Sequence, residues 1–205
     1  MASLKPLIRE VMDLTCAALA ELNFRKRSGD LYTYELGGES LGWVAFVRVT
    51  ARNRGIQLMP NVGVRNQRIE RVVAELSEEQ FHPYHPPTLL SSIGYLMEQK
   101  QYLRWSFTHD SDNPSIVKHM VQSIFGYGIP FMKATADLGS VIEALLHTNH
   151  GSLRQSYTLP VALVLSGKSE QARAYVIKYT NALGNDSAAQ DYRKFAGNLL
   201  KRLTN

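Results

Sequence analysis

Apolar residues recur at intervals of three and four at the start of the chain. Leu4, Leu7, Ile8, Val11, Leu14, Ala18, Leu19 and Leu22 form one stripe, with Lys5, Arg9, Glu10, Asp13 and Glu21 opposite. That spacing predicts an amphipathic helix ending at Asn23, with Pro6 tolerated in its first turn. From Phe24 to about Arg65 the period drops to two. Leu31–Leu36 sets Tyr32, Tyr34 and Leu36 against Thr33 and Glu35, and Ile56–Arg65 alternates in the same way. Leu41–Ala51 carries Leu41, Trp43, Ala45, Val47 and Val49 on one face and Val44 and Phe46 on the other. Apolar residues on both faces predict a strand covered on both sides for part of its length. The links Ser28–Asp30, Gly37–Glu39 and Arg52–Gly55 are short and contain glycine, which predicts an antiparallel meander. Pro60 cannot donate to a ladder, which places its strand at an edge or a bulge.

Asn66 is a cap for a short helix with Ile69, Val72, Val73 and Leu76 inside. Phe81–Pro87 has three prolines in seven residues and reads as a loop. Thr88–Met97 and Tyr102–Thr108 alternate again and are expected to extend the sheet. Asn113-Pro114 opens a helix striped by Ile116, Val117, Met120, Val121, Ile124 and Phe125, which Gly126-Tyr127-Gly128 should break. A further helix carries Phe131, Leu138, Val141, Ile142 and Leu145. Leu159–Leu165, Gly167 and Glu170–Leu183 read as a helical hairpin, and Ser187–Leu203 as a last helix whose Lys201 and Arg202 suit its dipole. Strands first and helices after predict an α+β fold. An antiparallel β-meander of about five or six strands would be packed by helices and followed by a helical C-terminal half. Residues 1–110 form the sheet region and 111–205 the helical region, expected as one continuous domain.

Composition narrows the class. The 205 residues are 44% hydrophobic and 20% charged, as in a globular chain, not a disordered or fibrous one. The lone cysteine, Cys16, excludes an intramolecular disulfide framework and a multi-cysteine zinc site, and fits a reducing, cytoplasmic location. No apolar run is long enough to span a membrane, and the first residues do not read as a secretory signal.

Candidate chemistry is sparse. Gly167-Lys168-Ser169 lacks the glycine that a phosphate loop needs five positions before Gly167, where Ala162 stands, so it reads as a helix C-cap. His82 with His85, and His147 with His150, lack the further ligands of a zinc site, so neither a metal nor a cofactor is expected. Thr108-His109-Asp110-Ser111-Asp112 reads either as a turn supporting the next helix or as an acid–base cluster. An enzyme, hydrolase-like in class, would need His109 with Asp110 or Asp112 in a concave pocket. Cys16 sits beside the first apolar stripe and reads as a small hydrophobe.

Charge is the remaining signal. Between Phe24 and Arg71 lie nine basic and four acidic residues, an excess equal to the +5 of the whole chain. A basic sheet margin attracts an acidic protein partner or a nucleic-acid backbone. In the first reading Arg25, Arg52, Arg54 and Arg65 contact partner carboxylates, and Tyr32 or Tyr34 serves as an aromatic anchor. Pro60-Asn61-Val62-Gly63-Val64-Arg65 followed by Ile69-Glu70 resembles a family of uncharacterised bacterial proteins of unknown function. Ile93-Gly94-Tyr95-Leu96, Trp105-Ser106-Phe107 and Tyr127-Gly128-Ile129-Pro130-Phe131 extend the likeness over roughly residues 20–145. These motifs are glycines, prolines and core aromatics, so the resemblance bears on fold and carries no catalytic residue across. Small proteins similar to these accompany secreted bacterial toxins as immunity proteins. The expectation is therefore a non-enzymatic protein-binding module that neutralises a toxin, with nucleic-acid binding as the alternative.

Overall fold

The alternating segments pair into a six-stranded sheet, seen in a computed structural model that describes residues 3–51, 55–147 and 153–204. In chain order the first elements are α1 (Lys5–Glu21), β1 (Arg25–Lys26), β2 (Leu31–Gly37), β3 (Ser40–Thr50), β4 (Ile56–Asn66), α2 (Gln67–Ser77) and β5 (Leu89–Ser92). There follow α3 (Ile93–Leu96), β6 (Trp105–Phe107), α4 (Asn113–Ser123), a π-helical turn (Ile124–Gly128) and α5 (Ile129–Ala134). The C-terminal helices are α6 (Leu138–His147), α7 (Leu153–Leu165), α8 (Ser169–Ala182) and α9 (Ser187–Arg202). The fold is α+β, with an antiparallel sheet in the order β1-β2-β3-β4-β5, β6 pairing beside β4, and a helical C-terminal half. No described helix is long and apolar enough to cross a membrane.

Packing divides the chain into two compact units, and not at residue 110. One contains Met1–Val64 with Leu90–Ala134, the other Arg65–Leu89 with Thr135–Asn205. The helices α4 and α5 belong with the sheet, whereas α2 belongs with the C-terminal helices.

In the first unit, Leu7, Val11 and Leu19 of α1 are fully buried, in one core with Val44 and Phe46 of β3 and Leu58, Val62 and Val64 of β4. The α1 helix ends where Asn23 takes a positive φ of 65° and the Phe24 N–H donates back to the Leu19 carbonyl at 3.0 Å. Several sequence expectations shift here. Val47 and Val49 of β3 emerge into solvent. The β4 strand is interior despite Pro60, with β3 and β5 as its neighbours in the sheet order, and its pairing with β6 at Ile56, Gln57 and Leu58 stops short of the proline. The predicted strand 88–97 is shorter, because its second half coils into α3, and the one over 102–108 shrinks to β6. Gly126-Tyr127-Gly128 does not break its helix: a π-helical turn carries the chain on into α5, and Gly128 lies against Val62 and Ile93. Asp112, not Asn113, caps α4, accepting from the Ser115 N–H at 3.2 Å.

In the second unit Ile69, Val73 and Leu76 of α2 are buried, as are Leu159, Val161 and Leu163 of α7 and Phe195 and Leu199 of α9. The expected hairpin forms, though α7 begins earlier than its apolar run and carries Pro160 inside. Gly167 closes α7 at φ +80°, with the Lys168 N–H on the Leu163 carbonyl at 2.9 Å, so the Gly-Lys-Ser motif is a helix terminus. Tyr157, Tyr179 and Phe195 surround the fully buried Tyr192, with ring centroids 4.7–5.7 Å from it.

Gly94 offers a test of the sheet-side packing. A Cβ there would press on the Gln101 carbonyl and on Leu103, and backbone cannot swing aside as a flexible side chain can. Gly94→Ala should therefore cost about 2–3 kcal/mol of stability, read as a lowered urea midpoint with an unchanged slope.

Candidate functional site

The basic margin is less open than the charge count implies. Arg27 donates from Nε to Thr33 Oγ1 at 2.8 Å and lies 3.9 Å from a Glu35 carboxylate oxygen, and Arg48 lies 3.5 Å from Asp30. Two of the expected contact residues are not on the surface. Tyr32 is 1% exposed and packs edge-on against Phe46 at 6.0 Å, and burial pushes its phenol pKa well up. Arg65 is also 1% exposed, drawn inward by a buried carboxylate. Neither side chain can meet a docking partner, which corrects the sequence assignment. Arg52 and Arg54 lie outside the described residues.

Arg25 and Tyr34 do come together. The turn after α1 and the β1–β2 pair enclose a cleft of about 360 Å³, lined by Ala20, Asn23, Phe24, Arg25, Tyr34 and Glu35. Tyr34 is half-buried against Phe24, with ring centroids 5.2 Å apart, so the cleft has a stiff aromatic wall. Arg25 and Lys26 are exposed, and among the described residues neither has a carboxylate within ion-pair distance. The sheet order ends at β1, leaving its outer side unpaired. Charge on so short an edge strand also keeps other strands from adding to it.

The densest polar cluster was not foreseen. Glu70, in the first turn of α2, is 3% exposed. Its Oε1 accepts from the Thr88 hydroxyl at 2.7 Å, and that hydroxyl accepts from the Asn66 N–H at 2.9 Å. Its Oε2 faces Arg65 Nη1 at 3.4 Å and pairs with Arg154 Nη2 of α7. Arg65 also donates from Nε to Gln67 Oε1 at 3.1 Å and the Pro83 carbonyl at 3.2 Å, and from its two Nη groups to the carbonyls of Pro86 and His82. It therefore pins the proline loop, with Phe81 stacked 5.3 Å from its guanidinium. Burial lowers the Arg65 pKa to about 10, with Arg71 adding to the effect, and burial with Arg65 nearby lowers Arg154 to about 10. In the same loop His82 Nδ1 accepts from the Tyr84 and His85 N–H groups at 3.1 and 3.2 Å, which leaves the ring proton on Nε2. The His82 and His85 rings stack with centroids 3.7 Å apart, and burial, His82 and Arg65 together lower the His85 pKa.

Glu70 carried one faint signal, a carboxylate beside the apolar stripe Ile69–Val73–Leu76. Arg154 carried none, since only folding brings α7 to α2. Among the described residues no three His, Cys, Asp or Glu side chains converge as metal ligands. His109, Asp110 and Asp112 are exposed in a turn, with the Asp112 carboxylate committed to its cap and its pKa lowered by the Ser115 hydrogen bonds. Those side chains form no acid–base constellation. His147 is exposed at the end of α6, and His150 lies outside the described residues. Between α1 and α4 runs an apolar groove of about 460 Å³ that includes none of the basic-margin residues.

No protein-family model, curated protein or solved structure matches the chain. The Glu70 cluster makes its own prediction. Glu70→Gln keeps the shape but strands Arg65 without its buried counter-charge, and should cost about 3–5 kcal/mol in chemical denaturation. Hydrogen exchange should rise first in the loop over residues 81–88, whose carbonyls Arg65 holds.

Proposed function

We propose that this protein is a non-enzymatic binding module that docks an acidic segment of a partner protein in the cleft at β1 and β2. The observation that carries this reading is Arg25, exposed in that cleft beside the ring of Tyr34 and, like its neighbour Lys26, with no carboxylate within ion-pair distance among the described residues. Partner carboxylates would meet Arg25 in the cleft, Lys26 on the other face of β1 would add to the positive field, and an apolar partner side chain would rest on Tyr34. Charges at such a rim steer encounter and set salt dependence, and a half-buried aromatic supplies contact area at low entropic cost. The resemblance to toxin-associated bacterial proteins makes a toxin domain the partner class and a cytoplasmic location the expected setting. An immunity protein acts by occluding a surface, and the cleft needs no reaction centre to do that.

A polyglutamate peptide is the probe, titrated into the full chain and followed by amide NMR. Shifts should concentrate at Asn23–Lys26 and Tyr34–Glu35. The double variant Arg25→Glu, Lys26→Glu should weaken binding at least tenfold, roughly 1.4 kcal/mol or more. Shifts elsewhere, or none, would remove the cleft as the docking site. A single-stranded oligonucleotide shifting the same amides, with affinity collapsing between ~50 and ~200 mM salt, would establish the nucleic-acid reading in its place.

A further inference from the structure

The first unit carries the apolar groove of about 460 Å³ between α1 and α4, which the proposed docking does not use. Leu14, Ala18 and Leu22 of α1 line it and are only half-buried. On α4, Phe125 follows Val117 and Val121 at four-residue spacing and continues their line. Val117 and Val121 are buried, but Phe125 is 59% exposed. An apolar concavity with a large bare ring and polar groups at its rim marks a surface that another molecule covers.

The charges on the groove say what that molecule is. Glu21 of α1 and Lys118 of α4 both line it, both are exposed, and neither forms an ion pair with a described residue. The Asn113 amide at the start of α4 donates to the Glu10 carboxylate at 3.2 Å, which sets the two helices level at that point. From there they run in the same direction, since Leu14 and Pro114 line the same groove as Leu22 and Phe125. Lys118 stands five residues past the contact and Glu21 eleven, so about 9 Å of helix separates them at 1.5 Å per residue. The groove therefore has a negative end, beside Phe125, and a positive end, toward Pro114.

That polarity makes the patch complementary to itself. A two-fold axis through the middle of the groove sets Glu21 of one protomer opposite Lys118 of its partner, and repeats the contact by symmetry. The same rotation lays each exposed Phe125 on the end of the other groove that Leu14 and Pro114 form. We infer that α1 and α4 are a homodimer surface, on which a second copy of this chain packs end for end through the groove. Four helices then share one apolar seam, and both unpaired charges find counter-charges.

Sedimentation velocity on the full chain is the test. Between ~1 and ~200 µM the average mass should climb from that of one chain toward that of two. Glu21→Lys and Lys118→Glu should each weaken self-association about tenfold or more, because the axis repeats every like-charge contact. Mixed in equal amounts, these two variants should pair with each other far better than either does with itself, since every contact across the axis is then Lys to Glu. Phe125→Ala should weaken association by a similar factor. All three side chains are exposed, so the variants keep the fold. A chain that is monomeric at every concentration overturns the inference, as does a dimer indifferent to the charge reversals or a mixture that fails to pair. In a monomeric chain, an amphipathic helical peptide that shifts the amides of Ala17–Leu22 and Lys118–Phe125 would give the groove to a partner's helix instead. None of these variants alters Arg25, Lys26 or Tyr34, so the docking cleft is tested separately.

Discussion

A carboxylate removed from water must be met by opposite charge, and in the second unit that demand organises everything around Glu70. Its two oxygens are shared among Thr88, Arg65 and Arg154, which gathers the end of β4, the first turn of α2, the proline loop and the start of α7. Each partner brings further obligations. Arg65 has more donors than Glu70 can use, and the surplus fixes a loop whose prolines leave its carbonyls without regular secondary structure to satisfy them. Replacing such a cluster by apolar residues is often neutral in energy. Its effect here is geometric: it sets one conformation for a segment that has no ladder or helix of its own.

The same accounting changes the meaning of the net charge. A count of nine basic and four acidic residues between Phe24 and Arg71 treats each charge as available. Arg65 is consumed internally, while Arg27 and Arg48 face Glu35 and Asp30. Exposed pairs of that kind are weak and salt-sensitive, yet they lower the local potential that a partner meets. What remains in the open on the described part of the meander's start is Arg25 with Lys26, next to a concavity that has an aromatic wall. A docking surface there is small and polar-rimmed, suited to a segment more than to a broad flat face.

The cleft and the Glu70 cluster differ in kind. The cleft at β1 sits at an exposed sheet edge, where strand register places side chains and solvent screens them. The cluster at Glu70 is built of side chains already fixed in a network, so its charges are spent on one another and on the loop carbonyls. Charge in the first acts at a distance on encounter, and in the second acts by direct hydrogen bonding in a low dielectric.

Local pattern alone was enough for the helix stripes, the meander with its glycine turns, the Asn66 cap and the Gly167 terminus, because each depends on neighbours a few residues away. The α+β class followed from the order of those elements. Pairing and burial were decided by contacts distant in sequence. Pro60 lies in an interior strand because β3 and β5 flank β4 in the sheet, and the Gly126–Gly128 stretch stays helical with Gly128 close to Val62. Tyr32 and Tyr34 look equivalent by alternation, yet one is sealed in the core and the other walls a cleft. Arg65 read as a surface cation until Glu70 and Arg154 met it inside. A sequence shows which charges exist, but only the folded chain shows which have been neutralised, since desolvation and pairing are properties of the space between elements.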